Sequence, residues 1–424
     1  MTTPASLLEA DVPRPVLDVI ARLRELGHAV FLVGGCVRDT LRGVHPKDFD
    51  VATSALPEQV QSAFRKVIPT GIQHGTVTVV QGGTHVEVTT FRSEGDYHDG
   101  RRPSAVTFEQ DIVKDLSRRD FTINAMAWNP LSHELVDPFG GQEDLKARVV
   151  RCVGSAIERF SEDGLRPMRA VRFAAVLDFT LDPGTQAAIP ATLPVFRKVA
   201  HERVREEFVK LLLSKREAFG LALLADTGLL EVFLPELARA DAEAARLART
   251  AAAAEPVDVE IRLAALLADL VSPQQAEEIG VRLKFPTKTI ERVRLLISHA
   301  ALERHVGDPD PALRRLLAKV GLANVEALTS VARARIQARE PARLPELDVL
   351  IGRLRALAAS KPPLTGKDLA LNGGAIMAAL GVGPSPIVGE ATRFLLEQVL
   401  DEPSLNEAEK LKDLLLTWQR ARGC

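Results

Sequence analysis

Along residues 29–91, short apolar and β-branched runs alternate with Gly- and Asp-containing turns, at residues 29–33, 75–80 and 85–91. Runs of this length between such turns predict strands. Apolar positions spaced three and four apart predict helices over residues 16–26 and 57–64. The first 150 residues therefore predict an α+β unit built on a small mixed sheet. Beyond residue 150 the strand signals stop. The text becomes rich in Leu, Ala, Arg and Glu with helical spacing, as over residues 204–213, 217–230 and 261–270. Turn-forming clusters at 182–184, 251–256, 308–311 and 361–363 divide this helical part. Segments 1–150, 151–225, 226–360 and 361–424 are the expected domains, the last three forming an elongated all-α remainder cored by Leu, Ala and Val.

Composition narrows the class. The chain has 424 residues, 46% hydrophobic and 26% charged, with a formal net charge of −2. It can bury a core, and it carries no overall basic coat, although a local arginine stripe binds phosphate at any net charge. Cys36, Cys152 and Cys424 are too scattered for a disulfide framework or a metal knuckle. No leader-like segment and no membrane-length apolar run is read, so a cytoplasmic protein is expected, with no membrane partner.

Chemistry concentrates at Phe31-Leu32-Val33-Gly34-Gly35-Cys36-Val37-Arg38-Asp39, followed by Lys47-Asp48-Phe49-Asp50-Val51. An apolar strand runs into two glycines, where a ligand can approach backbone with no Cβ in the way. A helix pattern then begins, whose first N–H groups suit a phosphate. In an extended chain Asp48 and Asp50 fall on one face and repel each other unless cations lie between them. Divalent ions on this pair would activate a hydroxyl and stabilise a leaving pyrophosphate. Glu87, between Val86 and Val88, is the candidate third carboxylate. No P-loop and no dinucleotide fingerprint follows any strand.

This pattern resembles the nucleotidyltransferases related to DNA polymerase β. Residues 31–173 resemble more narrowly the bacterial class II tRNA nucleotidyltransferases, the CCA-adding enzymes, a family that also contains bacterial poly(A) polymerases. The resemblance is carried by Gly71-Ile72-Gln73-His74-Gly75, Glu87-Val88-Thr89-Thr90-Phe91-Arg92, Arg101-Arg102-Pro103, Arg118-Arg119-Asp120-Phe121-Thr122-Ile123-Asn124-Ala125, Asp137-Pro138-Phe139-Gly140-Gly141 and Glu162-Asp163-Gly164-Leu165-Arg166. It implies a catalytic head over 1–150, a base-selecting neck over 151–225, a body over 226–360 and an RNA-binding tail over 361–424. It implies two Mg2+ ions on Asp48 and Asp50. Nucleotide contacts would come from Gly35, Arg38 and Arg119, and base recognition from Asp163 and Arg166 assisted by Arg169 and Arg172. The implied partners are CTP, ATP and the acceptor and T arm of tRNA, with no DNA.

The base-reading pair has its own chemical logic. Cytosine and adenine both present an amino donor beside a ring-nitrogen acceptor, whereas uracil and guanine reverse the two. A carboxylate that accepts and a guanidinium that donates therefore select C and A, because the wrong bases leave charged groups unpaired. Pro167 departs from the expected helix and costs little only if it lies in the first turn. A polar loop is expected at 93–104; in the family such a loop is needed for A addition, and a full-length one argues against a CC-only enzyme. In the body, Leu266-Leu267-Ala268-Asp269 lacks the histidine of a His-Asp metal site, and His299 and His305 lie too far along to restore it. Basic residues in 284–294, 314–319 and 333–343 are candidates for tracking RNA phosphates, with solvated helix faces as the equal alternative. An A-adding enzyme, a poly(A) polymerase and an inactive RNA-binding relative remain open readings.

Overall fold

Alternation along residues 76–90 builds the centre of the sheet. In a computed structural model describing residues 4–8, 10–94 and 106–422, seven strands form one mixed sheet. They are β1 (Val30–Val33), β2 (Asp50–Thr53), β3 (Val67–Gly71), β4 (Thr76–Gln81), β5 (Thr84–Thr90), β6 (Ala127–Asn129) and β7 (Glu134–Val136), in the order β3-β4-β5-β2-β1-β6-β7. Only β2 and β5 run parallel, with Val51 opposite Val88. Most of the loop expected at 93–104 lies outside the described residues.

Val77, Val79, Val86 and Val88 point to one face and are buried against Val16, Val19, Ile20 and Leu23 of the helix Arg14–Glu25. Full burial stabilises each such side chain by roughly 1.5–3 kcal/mol. On the other face, Phe31, Val33 and Ala52 pack with Phe91 and Leu116. Beyond that cluster, the same face of β4 and β5 carries Thr78 opposite Glu87 in register. The sheet thus leaves one half-face polar, and Asp50 sits at its border.

The five predicted strand and helix segments of the head appear within one or two residues of expectation, while β6 and β7 have only three residues each and β3 is mostly exposed, with no apolar alternation. Past residue 150 the chain is not purely helical. Thr180–Leu181 pairs in parallel with Val149–Val150, a two-residue contact with no pattern of its own. The helix expected over 217–230 is two, Glu217–Asp226 and Leu229–Phe233, parted by Gly228 at φ +77°.

The described chain divides into two compact units, 1–238 and 239–424. The first therefore takes in the head together with the helices Ala156–Glu162, Arg166–Leu177, Pro183–Phe196 and His201–Leu212. The second is helical throughout its described residues. The alanine-rich stretch forms the helix Ala242–Ala251, and near the C-terminus Ile376, Leu395, Val399, Leu411 and Leu415 form a separate cluster.

Candidate active site

The strand β1 delivers its C-terminal end beside the start of β2, with Val33 directly opposite Asp50. Gly34 follows at φ +74° and caps the helix Gly35–Leu41. A Cβ there would be strained, and it would stand 3.0 Å from Arg119 Nη1. Cys36 braces the junction. Its thiol donates to the Val33 carbonyl at 3.2 Å and receives the Asp50 backbone N–H, and burial pushes it up to about 11.

Asp48 is not in the strand. It lies in the loop before β2, which begins at Asp50, so the loop rather than the strand pleat brings the two carboxylates together. Asp50 keeps an edge open to solvent, yet desolvation on its protein side pushes its carboxyl up. Arg119 opposes this shift and the charge of Asp48 adds to it. Glu87 faces the same side of the sheet, and partial burial and the charge of Asp50 raise it as well.

Arg118 and Arg119 share one buried carboxylate. Asp115 accepts from Arg118 Nη2 at 2.7 Å and from Arg119 Nη2 at 3.2 Å. Burial works against that charge, but the two guanidiniums overcome it and hold Asp115 below the usual range. Arg119 Nε is buried with no partner. A buried unpaired donor is costly, and this one belongs to the guanidinium that borders Gly34 and acts on Asp50. Arg38, by contrast, is already engaged: it donates to Asn124 Oδ1 at 2.8 Å and to both oxygens of Asp39.

The arginines at 166, 169 and 172 are not a solvated stripe. Each has a carboxylate from a different segment. Arg166 pairs with Glu162 at 2.6 Å and donates to the carbonyls of Arg159 and Arg118. Arg169 meets Asp120 at 2.6 Å, and Arg172 meets Glu207 at 2.7 Å. Phe173 lies within this set, with the Arg172 guanidinium 3.5 Å from its ring centre and those of Arg38 and Arg169 at 5.3 and 5.4 Å. Burial opposes the charge of Asp120, but Arg169, with Arg166 and Asn124 behind it, holds the carboxyl down at about 2. The nearby Cys152 thiol is pushed up to about 12 by burial and by Asp120.

Asp163 caps the helix Ala156–Glu162 and accepts from Leu165 N at 3.0 Å and from Arg203 Nη2 at 2.9 Å. Pro167 falls in the first turn of Arg166–Leu177, where its missing N–H costs nothing, so the helix starts cleanly at Arg166. Sequence reasoning gave no part to Asp115, Asp120, Asn124, Arg203 or Glu207. The only signal was local: Asp120 adjoins Arg118-Arg119, and Arg203 and Glu207 stand one helical turn apart.

In the second unit the candidate RNA-tracking arginines mostly knit helices together. Arg292 pairs with Glu260, Arg315 with Glu397 and Asp401, and Arg335 with Asp269 and Glu303, while the buried Arg314 donates to the carbonyls of Leu400 and Asp401. Asp269, in the degenerate His-Asp position, also receives Arg339, which gives it a scaffold role. No helix among the described residues is long and apolar enough to cross a membrane.

Asp48 and Asp50 supply hard oxygen donors, and the Asp50 carboxyl is raised by desolvation and, against the opposing Arg119, by the charge of Asp48. That suits a divalent cation. Among the described residues no three His, Cys, Asp or Glu side chains close into a metal-holding group, and Glu87 lies in the same cavity as Asp48 and Asp50. An ion bound here would draw its remaining oxygens from phosphate and water, as Mg2+ commonly does. If Gly34 serves phosphate approach, Gly34→Ala should raise KM for CTP and ATP together, because its Cβ would stand against Arg119 where the triphosphate would lie. Steady-state kinetics with each nucleotide checks this, and a change in one alone would contradict it.

Residues 30–151 match the poly A polymerase head domain, and residues 178–241 match the probable RNA and SrmB-binding site of polymerase A. The CCA-adding enzyme of Geobacillus stearothermophilus is 37% identical over 408 residues, covering 96% of this chain and 97% of its own. That of Geobacillus kaustophilus is 38% identical over 406 residues, covering 95% and 96%. Among solved structures, the Bacillus stearothermophilus CCA-adding enzyme in complex with CTP aligns with a TM-score of 0.78 and 34% identity, over 97% of this chain and 98% of that one. With identity at this level across nearly the whole of both chains, and a head that sets Gly34, Asp50 and Arg119 side by side, this chain belongs to the CCA-adding enzyme family.

Proposed function

We propose that this chain adds C, C and A to the 3′ end of tRNA from CTP and ATP without a nucleic-acid template, releasing pyrophosphate at each step. The observation that carries the site assignment is the meeting, at the ends of β1 and β2, of a backbone with no Cβ, a buried unpartnered guanidinium N–H and a crowded carboxylate pair. Enzymes of this nucleotidyltransferase family generally use divalent metal; Asp48 and Asp50 would hold two Mg2+ ions, which supply activation of the attacking hydroxyl and charge neutralisation at the pyrophosphate.

Gly34 and Gly35 let the triphosphate lie against backbone, and Arg119 donates to its oxygens through the N–H groups that are otherwise unpaired. Arg38 acts one step back: its bonds to Asp39 and Asn124 fix the helix that follows the glycines. Asp163 accepts from the amino group of C or A while Arg166 donates to the ring nitrogen. Glu162 and the Arg118 carbonyl orient Arg166, Arg203 orients Asp163, and Asp120 and Glu207 keep Arg169 and Arg172 in place around Phe173. These pre-formed contacts place donors and acceptors before the nucleotide arrives.

Primer extension on tRNAs ending before the first C, after one C and after both tests the reaction; activity only on the last would mark an A-adding enzyme. Base reading has a sharper test. Asp163→Ala should loosen discrimination against UTP and GTP by about ten- to a hundredfold relative to CTP and ATP, the worth of one charge-assisted hydrogen bond. Incorporation of each of the four nucleotides by wild type and variant measures it. Equal slowing of all four would reduce Asp163 to a helix cap.

A further inference from the structure

In-line displacement places the attacking hydroxyl on the side of the α-phosphate opposite the leaving pyrophosphate. The residues assigned to the triphosphate, Gly34, Gly35 and Arg119, all stand at the β1 side of Asp50. On its β5 side lies a cavity of about 570 Å³, lined in part by Asp48, Asp50 and Glu87, and none of those three triphosphate residues lines it. Its size falls within the roughly 300–1,000 Å³ of small-ligand sites.

Three nitrogen-bearing side chains share this cavity with the carboxylates: His45, Lys47 and His85. His45 and Lys47 belong to the loop that carries Asp48, and His85 lies on β5 two residues before Glu87, on the same face of the sheet. The company is unusual. Lys47 is exposed, sits next in sequence to Asp48 and lines the same cavity as Asp50 and Glu87, and it forms no ion pair or hydrogen bond among the described residues. The exposed imidazoles of His45 and His85 likewise have no hydrogen-bonding partner among the described residues, and His45 lies edge-on to the Phe49 ring. Elsewhere in this unit the arginines around the site are matched to carboxylates, as with Arg118, Arg166, Arg169 and Arg172. Unmatched donors beside a carboxylate cluster fit a ligand that brings its own negative charge.

We infer that His45, Lys47 and His85 form the primer subsite, holding the phosphodiester on the 5′ side of the RNA's terminal nucleotide so that its 3′ hydroxyl faces Asp50. This assignment rests on the reading that Asp48 and Asp50 carry the transfer. A phosphodiester supplies the anion these donors lack, and a ribose fits against Thr78, whose hydroxyl lies on the open half-face. Lys47, His45 and His85 are then positioning residues for the primer and have no part in gripping the incoming nucleotide.

The test is a chemical double-mutant cycle on the full-length protein. One arm is the variant Lys47→Ala/His85→Gln. The other is a tRNA ending after both C residues with an uncharged methylphosphonate in place of its last phosphodiester. The variant should raise KM for unmodified tRNA by about tenfold or more, as expected for loss of charged hydrogen bonds, while KM for ATP stays within about twofold. The methylphosphonate should impose a similar loss on the wild-type protein and almost none on the variant, and Lys47→Arg should recover most of the affinity. Additive losses, or a rise in KM for ATP instead of tRNA, would overturn the subsite. Asp50→Ala separates the two claims: incorporation by that variant would remove the transfer site itself, whereas an inactive Asp50→Ala beside an additive cycle would remove the primer subsite alone.

Discussion

Asp50→Ala should abolish measurable nucleotide addition, a loss of at least about a thousandfold, while tRNA binding stays within a few-fold of wild type. Removal of one preorganised electrostatic partner from a transition state costs about 10²–10³ in kcat. Asp50 is assigned more than that: in the proposed reaction it forms, with Asp48, the charged seat of the reacting phosphate. Its carboxyl is pushed up by desolvation and by Asp48, with Arg119 opposing, so a cation seated beside it would relieve a charge that the fold disfavours. Asp50→Asn is the sharper control, because it preserves shape and the β1–β2 register while removing the charge. Single-turnover incorporation of labelled ATP, with filter binding of the same tRNA, decides the matter. Near-normal incorporation by either variant would remove the metal-binding assignment.

Asp120→Asn should cost about 3 kcal/mol of folding stability at pH 7, the lower end of the range for breaking a buried ion pair. The lower end applies because Arg169 keeps about a third of its side chain open to water (32%) and has Glu207 4.0 Å away. The pH dependence identifies the cause. The folded Asp120 carboxyl, held at about 2, lies below its ordinary value of 3.8. Its stabilising contribution is thus complete above pH 4 and is lost as pH falls toward 2. The variant should show a flatter acid limb across that window. Trp128 is buried in the head, so urea unfolding followed by its fluorescence in a Trp418→Phe background reports on this unit. An unchanged acid limb would mean that the Asp120–Arg169 pair does not stabilise the fold.

The head was readable where periodicity was long enough to speak. Alternation along β4 and β5 spans many residues, and the glycine pair after β1 marks a backbone turn that only glycine makes easily. Three-residue strands such as β6 and β7 contain no full period. The positions of Asp48, Asp50 and Glu87 on one side also followed from sequence, although a loop does for Asp48 what a pleat was expected to do.

What sequence withheld was partnership. Arg166, Arg169 and Arg172 recur at three-residue spacing, and in one dimension that reads as a wet face. Their partners lie at Glu162, Asp120 and Glu207. Only the first is close in sequence; the others are 49 and 35 residues away. The same blindness made the arginines of the second unit look available for RNA. Arg314 and Arg335 instead bind carbonyls and carboxylates of helices that fold back from far along the chain. Charge alone does not say how many of a cation's donors the protein already uses; only the partners it meets in three dimensions do.

The bracing of Asp50 by Cys36 also affects how the protein can be handled. A thiol pushed up to about 11 is ionised in only about one molecule in ten thousand at neutral pH, and Cys152, pushed up to about 12, less still. Both are buried as well. The sulfur that braces Asp50 is therefore shielded from alkylating reagents and mild oxidants, so introduced surface cysteines can be labelled without competition from Cys36 or Cys152, once Cys424 is replaced.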